Sequence, residues 1–463
     1  MKSSNLLKLT AILAWAPASF AVAQPAMQIV STPNALATPH VKLPTAKGPL
    51  APEGKLLAEH GIYLRATGVD EAAANVTGGQ KQGAANSFAV AFGGDLDLGQ
   101  LMGWDGGSVH VTFNKSVGES LAAGYTENQV SFQSKYKTYH NARLAELTFE
   151  QKLFNDKLDV SGGRVSALSY FNTSKIYCNF ENNAFCFNPA VVPITDKGLS
   201  FYPYGTWGGR VKLSPSPWFY VQAGAFQSDP ALIPTDGFEW SSNHATGIET
   251  AAEIGIQSPS WTDPYAFHLR AGGYNNGAPV SDPYLNIHGL SLVKSKGKAL
   301  THEGGQSAFY VMGDVDVAHL NLSGTRNVTF FGGTLIANRD YLTFTSQTLF
   351  GVLVTGPFAS RPTDTLGLAG TYLTLGSQEV DYLRAARAAA HGSGGVANHE
   401  EIFELNYGFN LYRGIRLNPN VQVVLNPDNI LEPSAKHASR DILAFGVRLT
   451  INPGMLLGMP TWQ

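Results

Sequence analysis

After residue 23 the sequence has no long apolar run, so it offers no transmembrane helix, which needs about 18 or more consecutive apolar residues. The net charge is only −3, so no basic surface for nucleic acid is present. Charged residues make up 14% of the chain, whereas glycine occurs 49 times. That composition favours a long β-structured chain over one with charged helical surfaces.

Recognisable catalytic and metal motifs are also missing. No Gly-x-Ser-x-Gly, His-Glu-x-x-His or phosphate-loop pattern occurs, and the two cysteines do not have zinc-ligand spacing. We therefore predict no catalytic residue, no metal site and no cofactor. One enzyme class stays open, a membrane-embedded acyl hydrolase that assembles a Ser–His pair from different strands. Such a hydrolase would place the pair on the outer surface or the rim, with an occluded lumen.

Residues 400–451 alternate between apolar and polar side chains. In the last of three strands here, Phe445 and Val447 share one face, whereas Gly446 and Arg448 share the other. A period of two indicates β-structure, because successive side chains point to opposite faces. The strands run for about nine to eleven residues, the length that crosses a bilayer, whereas soluble strands average about five or six. The pattern predicts a transmembrane β-barrel; the alternative is a soluble β-rich binding module.

The first 23 residues have the pattern of a secretory signal: a positive start, an apolar stretch and small residues at 21–23. We predict cleavage before Gln24; the alternative is an ordinary apolar helix. Residues 24–58 are rich in Pro, Ala and Thr, which predicts a partly disordered periplasmic extension. Residues 59–463 would then form one barrel domain.

Glycine, proline and asparagine breaks divide this domain into sixteen predicted strands, an even number that suits a closed antiparallel barrel. Short turns alternate with long connections, as in outer-membrane barrels, whose short turns are periplasmic and whose long loops are external. The predicted strands are 61–67, 87–98, 107–115, 143–153, 157–166, 206–214, 218–227, 247–257, 264–274, 307–318, 326–335, 341–354, 363–375 and three within 400–451.

Several stretches resemble the carbohydrate-selective outer-membrane porins of Gram-negative bacteria, the glucose porin or OprB type. The resemblance covers about residues 55–451, and the order and spacing of its pieces carry it. It implies a sixteen-stranded outer-membrane barrel that passes monosaccharides such as glucose by passive diffusion into the periplasm; a general solute or ion porin is an alternative. The stretches are RLAELTFEQ at 143–151, SGGRV at 161–165, YP at 202–203, WGGRV at 207–211, SRPTDTLGL at 360–368, ELNY at 404–407, LNPNVQV at 417–423, NP at 426–427 and FGVRL at 445–449.

The resemblance also implies partners: neutral sugars, outer-membrane lipids and lipopolysaccharide, and the barrel assembly machinery, with the protein a monomer or a homotrimer and no nucleic acid bound. One departure concerns assembly. Such barrels usually end on an aromatic residue that the machinery reads, but here Asn452 and Pro453 follow Ile451. Either Trp462 serves this purpose or the signal is unusual.

Charged residues on the polar phase are the candidate pore lining, because carboxylates and guanidinium groups hydrogen-bond the hydroxyls of a sugar that loses water. The alternative is that they pair with each other and stiffen the wall. Arg164, like Arg143, falls on the apolar phase, so we expect either a register shift at Gly162–Gly163 or a side chain that snorkels to an interface. The candidates are Glu146, Glu150, Arg164, Arg210, Lys212, Glu249, Glu253, His268, Arg270, Arg416 and Arg448.

The two cysteines, Cys178 and Cys186, lie in the long connection 167–205 of an exported chain. We predict a disulfide between them; two free thiols are the alternative. This loop is expected to narrow the pore. Its aromatic rings would either stack on sugars or form an apolar cluster that holds the loop to the rim. They are Phe171, Tyr177, Phe180, Phe185, Phe187 and Tyr202.

Overall fold

The structure, a computed structural model, describes residues 47–460 and Trp462, except for 187–190, 261, 262, 264, 296 and 323. The predicted signal segment, its cleavage site and most of the predicted extension lie outside the described residues, as does Phe187. The described end of the extension is ordered, because residues from Ala51 onward form a helix.

Sixteen antiparallel strands close into one barrel in which the first strand pairs with the last. Both the strand number and the barrel were predicted, and both are confirmed. Two further short strands, β10 and β11, form a separate hairpin in one loop, so β9 pairs directly with β12. The strands are β1 Ile62–Gly79, β2 Gly83–Asp97, β3 Gly107–Gly118, β4 Arg143–Leu153, β5 Leu158–Val165, β6 Thr206–Ser216, β7 Phe219–Ser228, β8 Gly247–Gln257, β9 Phe267–Asn276, β10 Val280–Asn286, β11 Ala299–His302, β12 Gln306–His319, β13 Asn327–Ala337, β14 Phe344–Thr355, β15 Thr365–Leu375, β16 His399–Tyr412, β17 Ile415–Leu425 and β18 Arg440–Ile451.

The first hairpin is longer than predicted. We expected strands at 61–67 and 87–98, but β1 continues to Gly79 and β2 begins at Gly83. Residues 68–86 are rich in alanine and glycine and have only two larger apolar side chains, Val69 and Val76, too few for alternation to be detected in the sequence. The extra residues nevertheless complete the ladders to β2 and β18.

The helices are short and lie in the connections between strands or next to the first and last strands. No helix among the described residues is long and apolar enough to span a membrane. The helices are α1 Ala51–Glu59, α2 Leu98–Met102, α3 Val191–Thr195, α4 Ser377–Ala389 and α5 Pro453–Leu457.

The two faces of the wall have the predicted chemistry. On β18, Phe445 and Val447 are 49% and 39% exposed, whereas Arg448 is buried on the inner face. Exposed aromatic side chains also gather at the end of the barrel with the short turns, as in the aromatic girdle at a membrane interface. They are Trp104, Phe154, Trp218, Tyr265, Phe358 and Tyr412.

The two arginines on the apolar phase have different explanations. Arg143 reaches the inner side because the β3–β4 register shifts between Thr112 and Phe113, and its side chain donates to the carbonyl of Ile233 at 2.7 Å. The expected shift at Gly162–Gly163 is wrong, since the register of β5 runs unbroken against both neighbours.

Arg164 therefore stays on the outer phase, and its predicted place in the pore lining is wrong. Its guanidinium lies between two outer-face rings, 5.6 Å from the Trp207 ring and 5.8 Å from the Trp240 ring. It also donates to the carbonyl of Glu239 at 2.8 Å. A loop segment with an aromatic residue thus covers this cation, which the lipid phase would otherwise disfavour.

Replacement of Phe445 by Arg should destabilise the barrel by about 2–4 kcal/mol, the cost of a cation on the lipid face near the bilayer midplane. Phe445→Leu keeps an apolar side chain and should cost far less. Unfolding in urea from lipid vesicles measures the difference. Equal stability of the two variants would contradict the assignment of this face to lipid.

Candidate functional site

Two long loops fold inward and occupy the lumen. One follows β3 and spans 119–142, and the other follows β5 and spans 166–205. They hydrogen-bond to each other through the backbone, from Ser134 N to Glu181 O and from Asn183 N to Ser131 O, both at 3.0 Å. The two loops therefore form one unit inside the wall.

The tip of the second loop carries the predicted Cys178–Cys186 disulfide. Phe180 and Phe185 pack against each other with ring centroids 5.6 Å apart, and Phe180 also contacts Phe331 of the wall. Both loop rings are fully buried, as are those of Phe171 and Tyr177. The apolar-cluster interpretation is therefore correct for these four rings, which hold the loop to the inner wall and offer no free stacking face.

Glu404 of β16 is the acceptor for the loop tip. Its carboxylate accepts the backbone N–H of Glu181 at 2.9 and 3.1 Å and that of Asn182 at 2.8 Å. The carboxylate is fully buried, and hydrogen bonds to a charged acceptor are stronger than neutral ones. Glu404 thus fixes the position of the tip in the lumen.

Arg448 and Arg416 hold the same tip from β18 and β17. Arg448 donates to the carbonyls of Cys178 and Phe180 at 2.8 and 3.0 Å and pairs with Glu71 at 2.9 Å. Arg416 donates to the side chain of Asn179 at 3.1 Å. These two predicted residues do face the lumen, but their donors are used by the loop.

The opposite wall anchors the two ends of the loop. Glu249 accepts the Ser200 amide at 2.8 Å, and Glu253 accepts the Asn172 amide at 3.1 Å. Arg270 donates to the carbonyl of Thr173. Five predicted lining residues therefore mainly bind the loop: Glu249, Glu253, Arg270, Arg416 and Arg448. This role differs from the two that were expected, contact with a sugar and pairing within the wall.

Two further predicted residues, Arg210 and Glu150, lie in a polar group on β4, β5 and β6. The Arg210 guanidinium pairs with Asp159, lies 4.0 Å from Glu150 and covers the Tyr170 ring at 4.6 Å. Three polar atoms of this group are buried without a hydrogen bond among the described residues: Arg210 Nε, Glu150 Oε2 and Asp159 Oδ1. Beside them, Ser161 of β5 and Tyr170 of the inward loop interact with each other through their side chains. We call these five residues the Arg210 cluster.

The remaining predicted residues also face the lumen. Glu146 accepts a hydrogen bond from Thr112 at 2.9 Å, and His268 contacts Asp314 at 2.6 Å. Lys212 lies 4.3 Å from the Tyr220 ring and is only partly buried. Lumenal placement is thus observed for every predicted lining residue except Arg164, whereas contact with a solute stays a prediction for each.

One Ser–His–Asp arrangement is present in the lumen. Ser108 Oγ lies 3.0 Å from His110 Nε2, and His110 Nδ1 lies 2.8 Å from Asp95. Ser108 and His110 are two residues apart on one strand, and Asp95 is directly opposite His110. All three are buried inside the barrel rather than on its outer surface or rim.

Sequence reasoning missed one of the strongest anchors, Glu71, and placed another, Glu404, among the lumenal candidates without distinguishing it. Glu71 was not considered, because β1 was predicted to end at 67, yet it accepts the Lys135 amide at 2.7 Å and the Ser134 hydroxyl at 2.9 Å. Glu404 stood on the polar phase but carried no signal that set it apart from other lumenal carboxylates. Only the position of the loop shows what these residues bind.

Buried carboxyl groups also lie among the external loops. Burial raises the pKa of Asp428 to about 7 and that of Glu379 to about 7. The Asp428 carboxylate accepts the Gln129 amide at 3.0 Å, and its own amide donates to Glu400 at 3.1 Å. This carboxyl joins the inward loop 119–142 to the loop that follows β17.

Comparison with known proteins gives consistent matches. The family model described as carbohydrate-selective porin, OprB family, matches residues 81–452. Porin B of Pseudomonas aeruginosa is 24% identical over 398 residues, which cover 81% of this chain and 85% of that protein. A putative porin, QuiX, of Acinetobacter baylyi is 24% identical over 408 residues, 82% of this chain and 88% of that one.

A solved structure has the same fold. The high-pH structure of Pseudomonas putida OprB superimposes with a TM-score of 0.78 at 22% identity, covering 86% of this chain and 96% of that one. This likeness supports the closed sixteen-stranded barrel.

Replacement of Glu404 by Ala should release the loop tip and give a larger, noisier single-channel conductance. The change leaves the buried backbone amides of Glu181 and Asn182 without an acceptor, and each unpaired amide destabilises the present position of the loop by about 1–3 kcal/mol. Glu404→Gln keeps one acceptor oxygen and should have a smaller effect, and Glu401→Ala on the outer phase of the same strand is the control. Conductance of Glu404→Ala equal to that of the control would show that Glu404 does not position the loop.

The external loops should be more stable at low pH than at high pH. The pKa of Asp428 is raised from 3.8 to about 7. The stability that its protonated carboxyl gives to the loops is therefore fully present below about pH 4 and is lost as the pH rises through about 7. Hydrogen exchange at 119–142 and 426–439, corrected for its intrinsic pH dependence, should show more protection at about pH 5 than at about pH 8. Asp428→Asn, which keeps an acceptor without titrating, should flatten the difference, and an unchanged pH dependence in it would contradict this role.

Proposed function

The chain belongs to the carbohydrate-selective porin family, the OprB family, and from this membership we propose that it passes neutral monosaccharides such as glucose by passive diffusion. It is an outer-membrane β-barrel of the Gram-negative type. The family accounts for sugars as the class of solute. The choice of neutral monosaccharides rests on the chemistry of the lumen.

The Arg210 cluster is the observation that carries this proposal. A buried polar atom without a hydrogen bond costs about 1–3 kcal/mol, and the cluster has three such atoms on adjacent strands: Arg210 Nε, Glu150 Oε2 and Asp159 Oδ1. Sugar hydroxyls both donate and accept hydrogen bonds. The side chain of Asp159 remains 15% exposed, so a passing sugar can reach the cluster at this carboxylate and hydrogen-bond to it as the sugar loses its own water.

Charge and size support the same solute class. Arg210 pairs with Asp159 and lies 4.0 Å from Glu150, while Lys152 lies 3.4 Å from Glu150 and Lys212 is directly opposite Asp159 on β6. Arg270 on β9 lies further round the wall. Charges of both signs disfavour apolar solutes without selecting ions strongly. The inward loops narrow a barrel whose sixteen strands alone would leave an aqueous channel.

The enzyme alternative is less well supported. The Ser108–His110–Asp95 arrangement has the order of contacts found in a hydrolase, but it lies in the lumen, not at the rim that a lipid hydrolase would use. An acyl transfer also needs free N–H donors for the oxyanion, whereas the amides around Ser108 are in the β2–β3 and β3–β4 ladders. We interpret these three residues as part of the polar lumen.

Replacement of Arg210 by Ala should lower glucose flux relative to that of an amino acid of similar size, because the cluster loses its donors to sugar hydroxyls. Liposome swelling measures the ratio, and Arg270→Ala tests the neighbouring cation in the same assay. The control is Arg384→Ala on α4, which removes an exposed arginine outside the lumen. An unchanged ratio in both lumenal variants would show that selectivity is not at these residues.

A further inference from the structure

The chain does not leave the barrel after its last strand. Asn452 donates its amide to Gly414 at 2.7 Å, and its side chain caps α5 by accepting the Met455 amide at 3.0 Å. The Met459 amide then donates to Gly454 at 2.8 Å and closes the helix. We call residues 452–460 with Trp462 the exit segment, since it lies at the end of the barrel with the short turns.

Helix α1 holds the exit segment in place. Leu50 N donates to Leu457 O at 2.8 Å. A Cβ at Gly54 would come within 2.9 Å of Pro460 and 3.0 Å of Met459, so the close approach needs glycine at this position. The segment is therefore packed against the rest of the protein.

Trp462 lies inside the wall. Its ring centroid is 5.1 Å from that of Tyr63 and 6.0 Å from that of His110. Both partners are on the inner phase, because Tyr63 pairs directly with Asp95 across β1 and β2, and Asp95 contacts His110. The indole thus covers buried lumenal side chains and remains partly exposed itself.

Trp462 differs in orientation from the aromatic girdle residues at the same end of the barrel. Trp218 is 53% exposed on the outside, as the membrane girdle requires, whereas Trp462 points inward. Trp462 therefore does not occupy the lipid-facing place of an aromatic residue that closes a last strand. The match to the family model also ends at residue 452, so all of the exit segment after Asn452 lies beyond it.

We propose that the exit segment is a second constriction, at the periplasmic mouth, and that Trp462 determines the largest solute that leaves the pore. The inference rests on the proposed function, since it concerns the same solute path. A tryptophan is the largest side chain, and its rigid ring lies on the inner wall against Tyr63 and His110, close to the starts of β1 and β3 at the end with the short turns. A monosaccharide must pass this ring after it leaves the Arg210 cluster, and a larger saccharide is held back there.

The test is liposome swelling with glucose, a disaccharide and a trisaccharide. Trp462→Ala should raise the swelling rates of the two larger saccharides relative to glucose, whereas Trp462→Phe, which keeps a ring, should stay closer to the parent protein. Trp218→Ala removes a tryptophan from the outside of the same mouth and should leave the ratios unchanged. The gel shift between heated and unheated samples shows that each variant is folded.

Labelling gives an independent readout. In Trp462→Cys the introduced thiol is the only free one expected, because Cys178 and Cys186 form a disulfide. A bulky uncharged maleimide added from the periplasmic side should lower the single-channel conductance of Trp462→Cys. The same reagent should leave the conductance of Trp218→Cys unchanged.

The possible failures are distinct. If the parent protein does not admit glucose, the proposed function itself is wrong. If it admits glucose but Trp462→Ala keeps the parent size ratios, or if the maleimide at position 462 leaves conductance unchanged, the second constriction is wrong and the pore function stands.

Discussion

The structure depends on one constraint: a bilayer offers no hydrogen-bond partners to a protein backbone. Every strand that crosses it must therefore be paired on both sides, which the β1–β18 ladder achieves by closing the sheet. Closure fixes the alternation of lipid-facing and water-facing side chains on all sixteen strands. It also leaves a wide lumen, and the rest of the chain serves to fill and line it.

The lumen is filled by backbone as much as by side chains. The inward loops bring amide and carbonyl groups into a space where few of them can find strand partners. The wall supplies those partners as buried charges: Glu404, Glu253 and Glu249 accept loop amides, while Arg448 and Arg270 donate to loop carbonyls. Most of the charge in this pore thus positions the constriction, and we assign contact with the solute to the smaller set of paired charges around Arg210.

Much of this could be read from the sequence, because a period of two is a direct consequence of strand geometry. The faces of β18, the disulfide and the inward fold of the cysteine loop were all predicted correctly. Alternation failed where side chains are small, in residues 68–86, and where the register shifts, at Arg143. Alternation gave the correct outer face for Arg164, and its assignment to the pore lining was wrong because the aromatic residue that covers this cation comes from a loop distant in sequence.

The functional roles of individual residues were harder to predict from the sequence, for a physical reason. Alternation shows that Glu404 and Glu150 face the same lumen, but not that the first is saturated by loop amides and the second has an unpaired oxygen. That distinction depends on where a loop of about 40 residues packs, which no local pattern encodes.

The most direct test of the account is single-channel recording of the intact protein in a planar bilayer with increasing glucose. A lumen narrowed by fixed loops around a sugar-binding cluster predicts a small conductance that glucose lowers in a saturable way. A polar solute of equal size without several hydroxyl groups should not lower it. A large conductance that sugars leave unchanged would contradict the account, because it would mean that the loops neither narrow the pore nor present a site for sugar.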